Sequence, residues 1–140
     1  MAKGKTLVVD DEQIIQYLLS QLLTGQGYEV DTVSSSYEAL DLVRKRKYDC
    51  ILSDIKMPEI NGMELYKEVR RIDKALSRRM IFITGAIQND DIQDFIHITG
   101  ATCIGKPFDI DHIIKIVDSM LADCNSGDPY FQVQQREIEE

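Results

Sequence analysis

Short apolar runs and helical stripes alternate along the chain. Residues 6–9 form a continuous apolar run of strand length. Residues 12–24 follow with Ile15, Leu18, Leu19 and Leu22 on one helical face, and Gly25 and Gly27 stop them. Residues 29–33 alternate polar and apolar, which predicts a second strand nearer a sheet edge. Ser35 and Glu38 stand at capping-box spacing before a helix carrying Ala39, Leu42 and Val43. Residues 49–53 predict a third strand, residues 63–72 a helix and residues 80–84 a fourth strand. Within residues 89–99, Ile92, Phe95, Ile96 and Thr99 share one helical face, which Gly100 ends. Residues 101–105 predict a fifth strand. Asp109 then caps a last helix with Ile110, Ile113, Ile114, Val117 and Leu121 turned inward.

A strand–helix unit repeated five times predicts an α/β fold with a parallel sheet covered by helices on both faces. Right-handed crossovers leave only a few doubly wound orders. Ligands of such sheets bind outside the carboxyl ends of the strands. Four of the five apolar runs deliver chemistry to that edge. The first ends in Asp10-Asp11-Glu12, the third in Asp54, the fourth in Thr84 and the fifth in Lys106-Pro107. Aspartates, a hydroxyl and an ammonium are therefore expected in one site.

Composition narrows the setting. A chain of 140 residues with 44% hydrophobic and 29% charged residues suits one globular domain with a real core. A net charge of −8 argues against direct binding to nucleic acid or an anionic membrane. Cys50, Cys103 and Cys124 form no paired motif, and two lie in strand-like runs, which predicts reduced thiols in a cytoplasmic protein. No apolar stretch approaches transmembrane length. After Asp123 the chain turns polar, with a break at residues 125–129. Residues 123–140 are expected to be a polar tail or a linker to a further module.

Carboxylates packed together repel one another unless a cation intervenes. A hard divalent ion such as Mg²⁺ takes oxygen ligands from one or two carboxylates, waters and phosphate oxygens. An Asp beside that ion can act as a nucleophile towards phosphorus. Phosphoryl transfer then asks chiefly for positioning and for positive charge on the equatorial oxygens. Lys106 is suited to supply part of that charge, and Thr84 to donate a hydrogen bond. Singly, each residue has an ordinary explanation as a turn, cap or loop residue. Their arrival together at four strand ends is what points to a site.

The motifs resemble those of the receiver domain of two-component response regulators. The resemblance covers residues 4–122. It rests on Val8-Val9-Asp10-Asp11-Glu12, on Asp54-Ile55-Lys56-Met57-Pro58 with Gly62 after it, on Thr84-Gly85-Ala86 and on Lys106-Pro107-Phe108. It implies a flavodoxin-like (βα)5 sandwich with strand order 2-1-3-4-5. It also implies that Asp54 accepts a phosphoryl group from a histidine kinase or phosphotransfer protein. Asp11 and Asp54 would ligate Mg²⁺ (Mn²⁺ being a substitute) together with the backbone carbonyl of Lys56, and Asp10 would act through a water. Glu12 would cap the first helix rather than ligate. The fourth helix, fifth strand and fifth helix would offer a face to an output partner or a second copy, with Ile98, Ile116 and Met120 off the inward stripes.

One position departs from the family pattern. Cys103 stands three residues before Lys106, where an aromatic ring usually couples to the switch threonine. Two other functions fit the alternation less well. A haloacid-dehalogenase-like phosphohydrolase needs Asp-x-Asp after the first strand, whereas Asp10 and Asp11 are adjacent. A flavin carrier needs a glycine- and hydroxyl-rich phosphate loop where this chain has acids.

Overall fold

The computed structural model describes residues 3–57 and 60–126, with side chains up to Ala122. Five parallel strands, β1 (Lys5–Val9), β2 (Glu29–Val33), β3 (Cys50–Asp54), β4 (Met80–Thr84) and β5 (Thr102–Gly105), lie in the order β2-β1-β3-β4-β5. The helices are α1 (Gln13–Gly25), α2 (Ser36–Lys45), α3 (Gly62–Ile72), α4 (Lys74–Ser77), α5 (Asp90–Thr99) and α6 (Ile110–Ser126).

Successive strand residues face opposite sides of a sheet, so β1, β3 and β4 feed two cores. Leu7, Val9, Ile51 and Phe82 pack beneath α2, α3 and α5 with Leu40, Leu65 and Phe95. Val8, Leu52, Ile81 and Ile83 pack beneath α1 and α6 with Leu19, Leu23, Ile113 and Val117. Burial on both faces explains why these strands read as unbroken apolar runs. β2 pairs only with β1 and is the edge strand its alternation implied.

Several side chains fall elsewhere than the periodicity suggested. Leu18 is 38% exposed, and Leu23, four residues after Leu19, takes the buried place in α1. Ile110 is 43% exposed, because it stands in the first turn of α6, ahead of the point where the helix lies on the sheet. Ile116 and Met120, expected off the inward stripe, are half-buried against the second core. Ile98 is exposed as expected. α4 was not anticipated; the Asp73 amide donates to the Val69 carbonyl at the end of α3, and the Asp73 carboxylate accepts a hydrogen bond from the Leu76 amide to start α4. The tail beyond Ser126, Pro58 and the Cys124 side chain lie outside the described residues.

Buried polar groups near β2 are paired. The Tyr28 hydroxyl donates to Asp118 on α6, tying that helix to the start of β2. The Tyr48 hydroxyl donates to Asp31 at 2.6 Å, and Arg46 lies 3.1 Å from the same oxygen. The hydrogen bond from Tyr48, aided by Arg46 and Lys5, holds the Asp31 carboxyl below its ordinary value of 3.8. A carboxylate with a lowered pKa stabilises the fold above its unfolded pKa and loses that contribution as pH falls through its folded value. Tyr48→Phe is therefore expected to cost roughly 1.5–3 kcal/mol at neutral pH, as for a hydrogen bond to a charged group. Urea titrations at descending pH check this, and the difference should shrink below the ordinary carboxylate value.

Candidate functional site

Strand order reverses between β1 and β3, since β1 runs on to β2 on one side while β3 lies on the other. Loops leaving such a switch point diverge and leave a crevice at the carboxyl edge of the sheet. Asp10 follows β1 and Asp54 ends β3, with Val9 opposite Ser53 in register. The Asp10 amide donates to the Val33 carbonyl at 3.2 Å, which carries the β1–β2 pairing up to the acid itself. On the other side Thr84 lies opposite Gly105, and the Lys106 amide donates to the Thr84 carbonyl at 2.8 Å. Pairing thus delivers the ammonium of Lys106 to the same crevice. The Lys106–Pro107 peptide bond is cis.

The side chains converge. Asp10, Asp11, Glu12 and Asp54 each offer a carboxylate oxygen, all within 4.8 Å of one another. Asp10 and Asp54 are buried, whereas Asp11 and Glu12 are exposed at the mouth. The ammonium of Lys106 lies 3.1 Å from Asp54 Oδ2 and 4.0 Å from Asp10 Oδ2. The Lys56 amide donates to Asp54 Oδ1 at 3.1 Å, and the Glu12 amide to Asp10 Oδ1 at 2.8 Å. Thr84 is fully buried, and its Oγ1 accepts from the Ala86 amide at 3.1 Å. Lys56 itself is exposed in the loop after β3. All six residues singled out from the sequence therefore stand at this edge.

Electrostatics register the crowding. Burial pushes the Asp10 carboxyl up to about 6; the Glu12 amide and Lys106 oppose this, and the charges of Asp54 and Asp11 add to it. Burial works to lower the pKa of Lys106, but the hydrogen bond and charge of Asp54, with Asp10 and Glu12, hold it above its ordinary value. One ammonium among four carboxylates leaves an excess of negative charge. An oxygen-rich, partly buried set with that excess fits a hard divalent cation.

Gly62 sets the approach of α3 to the site. Its amide donates to the Ile55 carbonyl at 2.8 Å, closing the loop after Asp54. A Cβ here would stand 2.9 Å from both Asp54 O and Ile55 Cα, and 3.2 Å from the Phe82 ring. Only a residue with no side chain lets the helix start so close to the acid.

One position differs from the sequence reading, and Cys103 keeps the packing role expected of a strand thiol. Glu12 occupies the N-cap position of α1, but its carboxylate makes no capping hydrogen bond and faces the other acids instead. The signal was visible as a third acid running on from Asp10-Asp11. Cys103 is half-buried against the α2–α3–α5 core, and burial pushes its thiol up to about 12. It is a packing group with little thiolate character. His97 and His112 are exposed on α5 and α6.

Residues 6–118 match the family described as the response regulator receiver domain. Sporulation initiation phosphotransferase F of Bacillus subtilis (strain 168) is 35% identical over 121 residues, 86% of this chain and 96% of that protein. A CheY-like response regulator receiver domain protein from Methanospirillum hungatei JF-1 superposes with a TM-score of 0.81 at 25% identity, covering 89% of this chain and 98% of that one. The response regulator protein TrrA from Thermotoga maritima, solved in complex with Mg(2+)-BeF, superposes with a TM-score of 0.73 at 31% identity, covering 86% and 99%. Several other curated relatives are longer, and the chain spans about half of their length. With a match over most of its length and a relative aligned nearly end to end, the chain belongs to the response regulator receiver domain family.

Proposed function

We propose that Asp54 accepts a phosphoryl group from the phosphohistidine of a histidine kinase or phosphotransfer protein, and that the modified domain signals by changing partners. The observation that carries this reading is the placement of the buried Asp54 carboxylate, 3.1 Å from the ammonium of Lys106 and amid three further acids. The family is one of signalling domains rather than conventional enzymes. The only reactions assigned to the domain are its own phosphorylation and dephosphorylation.

Asp10, Asp11 and Asp54 with the backbone carbonyl of Lys56 would hold Mg²⁺, Asp10 acting through a water. Mn²⁺ is a suitable substitute, since carboxylate, carbonyl and water ligands suit both. Bound there, the ion supplies positive charge that offsets the carboxylates and meets phosphoryl oxygens. An Asp54 oxygen attacks phosphorus, the histidine N–P bond breaks, and the imidazole leaves with the electron pair. Lys106 exchanges part of its contact with Asp54 for a phosphoryl oxygen. The Thr84 hydroxyl donates to another. The receiver unit corresponds to residues 4–122, with residues 123–140 as tail or linker, and it works in the cytoplasm. Among the described residues no helix is long and apolar enough to cross a membrane.

Incubation with acetyl phosphate and Mg²⁺ tests the reading by intact mass. One phosphoryl increment per chain, labile to alkali, is expected. Chelation of the divalent ion with EDTA should abolish incorporation. Rapid release of phosphate over many turnovers with no phosphorylated chain accumulating would replace this reading with the phosphohydrolase one.

A further inference from the structure

The acids of the crevice are not all held in the same way. Asp10 and Asp54 are fixed at the carboxylate itself: the Glu12 amide donates to one, and the Lys56 amide and the Lys106 ammonium to the other. Asp11 is different. Among the described residues no group donates to its carboxylate, and its side chain is exposed. Yet one of its oxygens lies within 4.8 Å of the other acids. Its direction is therefore set through its backbone.

A peptide unit is planar, so the Asp10 carbonyl, the Asp11 amide and the Asp11 Cα move as one. The half-buried Gln16 side chain holds that unit. Its Nε2 donates to the Asp10 carbonyl at 2.6 Å and to Ser34 Oγ at 3.0 Å. A carbonyl oxygen can only accept, so the nitrogen end of the Gln16 amide must face it. The reach follows from local structure. The Gln16 amide donates to the Glu12 carbonyl at 3.1 Å, which sets Gln16 in the first turn of α1. Helical side chains lean towards the N-terminus, here back over Asp10. Ser34 lies between β2 and α2, so Gln16 ties the acid loop to the next loop along the edge. On the other side of Asp11, Asp10 Oδ1 holds the Glu12 amide at 2.8 Å. Asp11 thus stands between two pinned peptides. A neutral donor suits the place, since a lysine or arginine would bring positive charge towards acids that must attract a cation.

We propose that Gln16 is a positioning residue for the divalent cation. By holding the peptide between Asp10 and Asp11 it presets the Asp11 carboxylate towards Asp54, and Ser34 steadies Gln16 in turn. The inference rests on the reading of the crevice as a Mg²⁺ site. Groups hydrogen-bonded behind metal ligands typically change metal affinity by about 10–100-fold when removed.

Mn²⁺ titrated into the unphosphorylated chain tests this, with the free ion read from its electron paramagnetic resonance signal. Gln16→Met keeps the length of the side chain but cannot donate. Its Mn²⁺ dissociation constant should rise about ten-fold. Ser34→Ala alters an exposed side chain and should raise the constant by a smaller factor. The double variant should bind as weakly as Gln16→Met alone, because Ser34 acts through Gln16. Urea midpoints in EDTA report the fold separately. A role in stability alone would lower the midpoint of Gln16→Met and leave the Mn²⁺ affinity of the folded chains unchanged, which overturns the proposal. Losses that simply add in the double variant overturn the part given to Ser34. A wild-type chain that binds no Mn²⁺ overturns the reading of the crevice as a cation site, and this proposal with it. A wild-type chain that binds, beside a Gln16→Met chain that binds equally well, overturns the proposal alone.

Discussion

Asp54→Asn is expected to reduce phosphoryl incorporation from about one group per chain to none detectable, an effect as large as removing a covalent nucleophile allows. The neutral amide is a poor nucleophile towards phosphorus. Its carbonyl oxygen still accepts from the Lys56 amide, which now reaches Asp54 Oδ1 at 3.1 Å, so the loop keeps its anchor. Circular dichroism should therefore be unchanged while the mass increment disappears. The neighbouring acids make the experiment discriminating. Asp10 and Asp11 lie in the same cluster, and either would carry the increment if the acceptor were misassigned. Incorporation that survives Asp54→Asn and maps to one of them would end the assignment.

The second large effect concerns packing beneath the site. Phe82 is fully buried on β4 and meets Phe95 of α5 at 5.4 Å and Tyr66 of α3 at 6.5 Å between ring centroids, both edge to face. Tyr66 and Phe95 are themselves 5.4 Å apart, so three rings join the sheet to two helices. Phe82→Ala should cost roughly 3–5 kcal/mol, the transfer loss of the ring plus the cavity it leaves. Domains of this size are commonly stable by only about 5–15 kcal/mol, so a substantial part of the total is at stake. A lowered urea midpoint measures it. Phe82→Leu refills much of the space and should cost about half as much or less.

The parallel sheet and the convergence at one of its edges were legible because they rest on period and on the switch-point rule, whereas the strand order 2-1-3-4-5 came from the family resemblance. Asp10, Asp54, Thr84 and Lys106 each follow or end an apolar run, and parallel pairing makes neighbours of run ends. Helix phase was less legible. Leu18 and Leu19 are adjacent, and periodicity alone did not say that Leu19 and Leu23 would take the buried stripe while Leu18 stayed at the rim. Ile110 looked inward because the pattern extends through it, but a first helical turn can stand clear of the sheet. Ile116 and Met120 reach the core because α6 packs a broad face, wider than a narrow stripe implies. The orientation of Glu12 depended on where its carboxylate lies relative to Asp10 and Asp54, which three consecutive acids in a sequence do not specify.

Gly62 has a consequence for how this protein can change over generations. A Cβ there meets backbone atoms of Asp54 and Ile55 at 2.9 Å, and backbone, unlike the end of a flexible side chain, has little room to yield. Every single-nucleotide change of a glycine codon that encodes a different amino acid adds at least that carbon. Position 62 thus has no one-step neighbour that keeps both the helix start and the acceptor loop in place. Gly25 and Gly85, around which a Cβ would meet nothing within 4 Å, are open to drift. The surface of the domain can be rewritten for new partners while one atom-sized exclusion beneath Asp54 holds its chemistry in place.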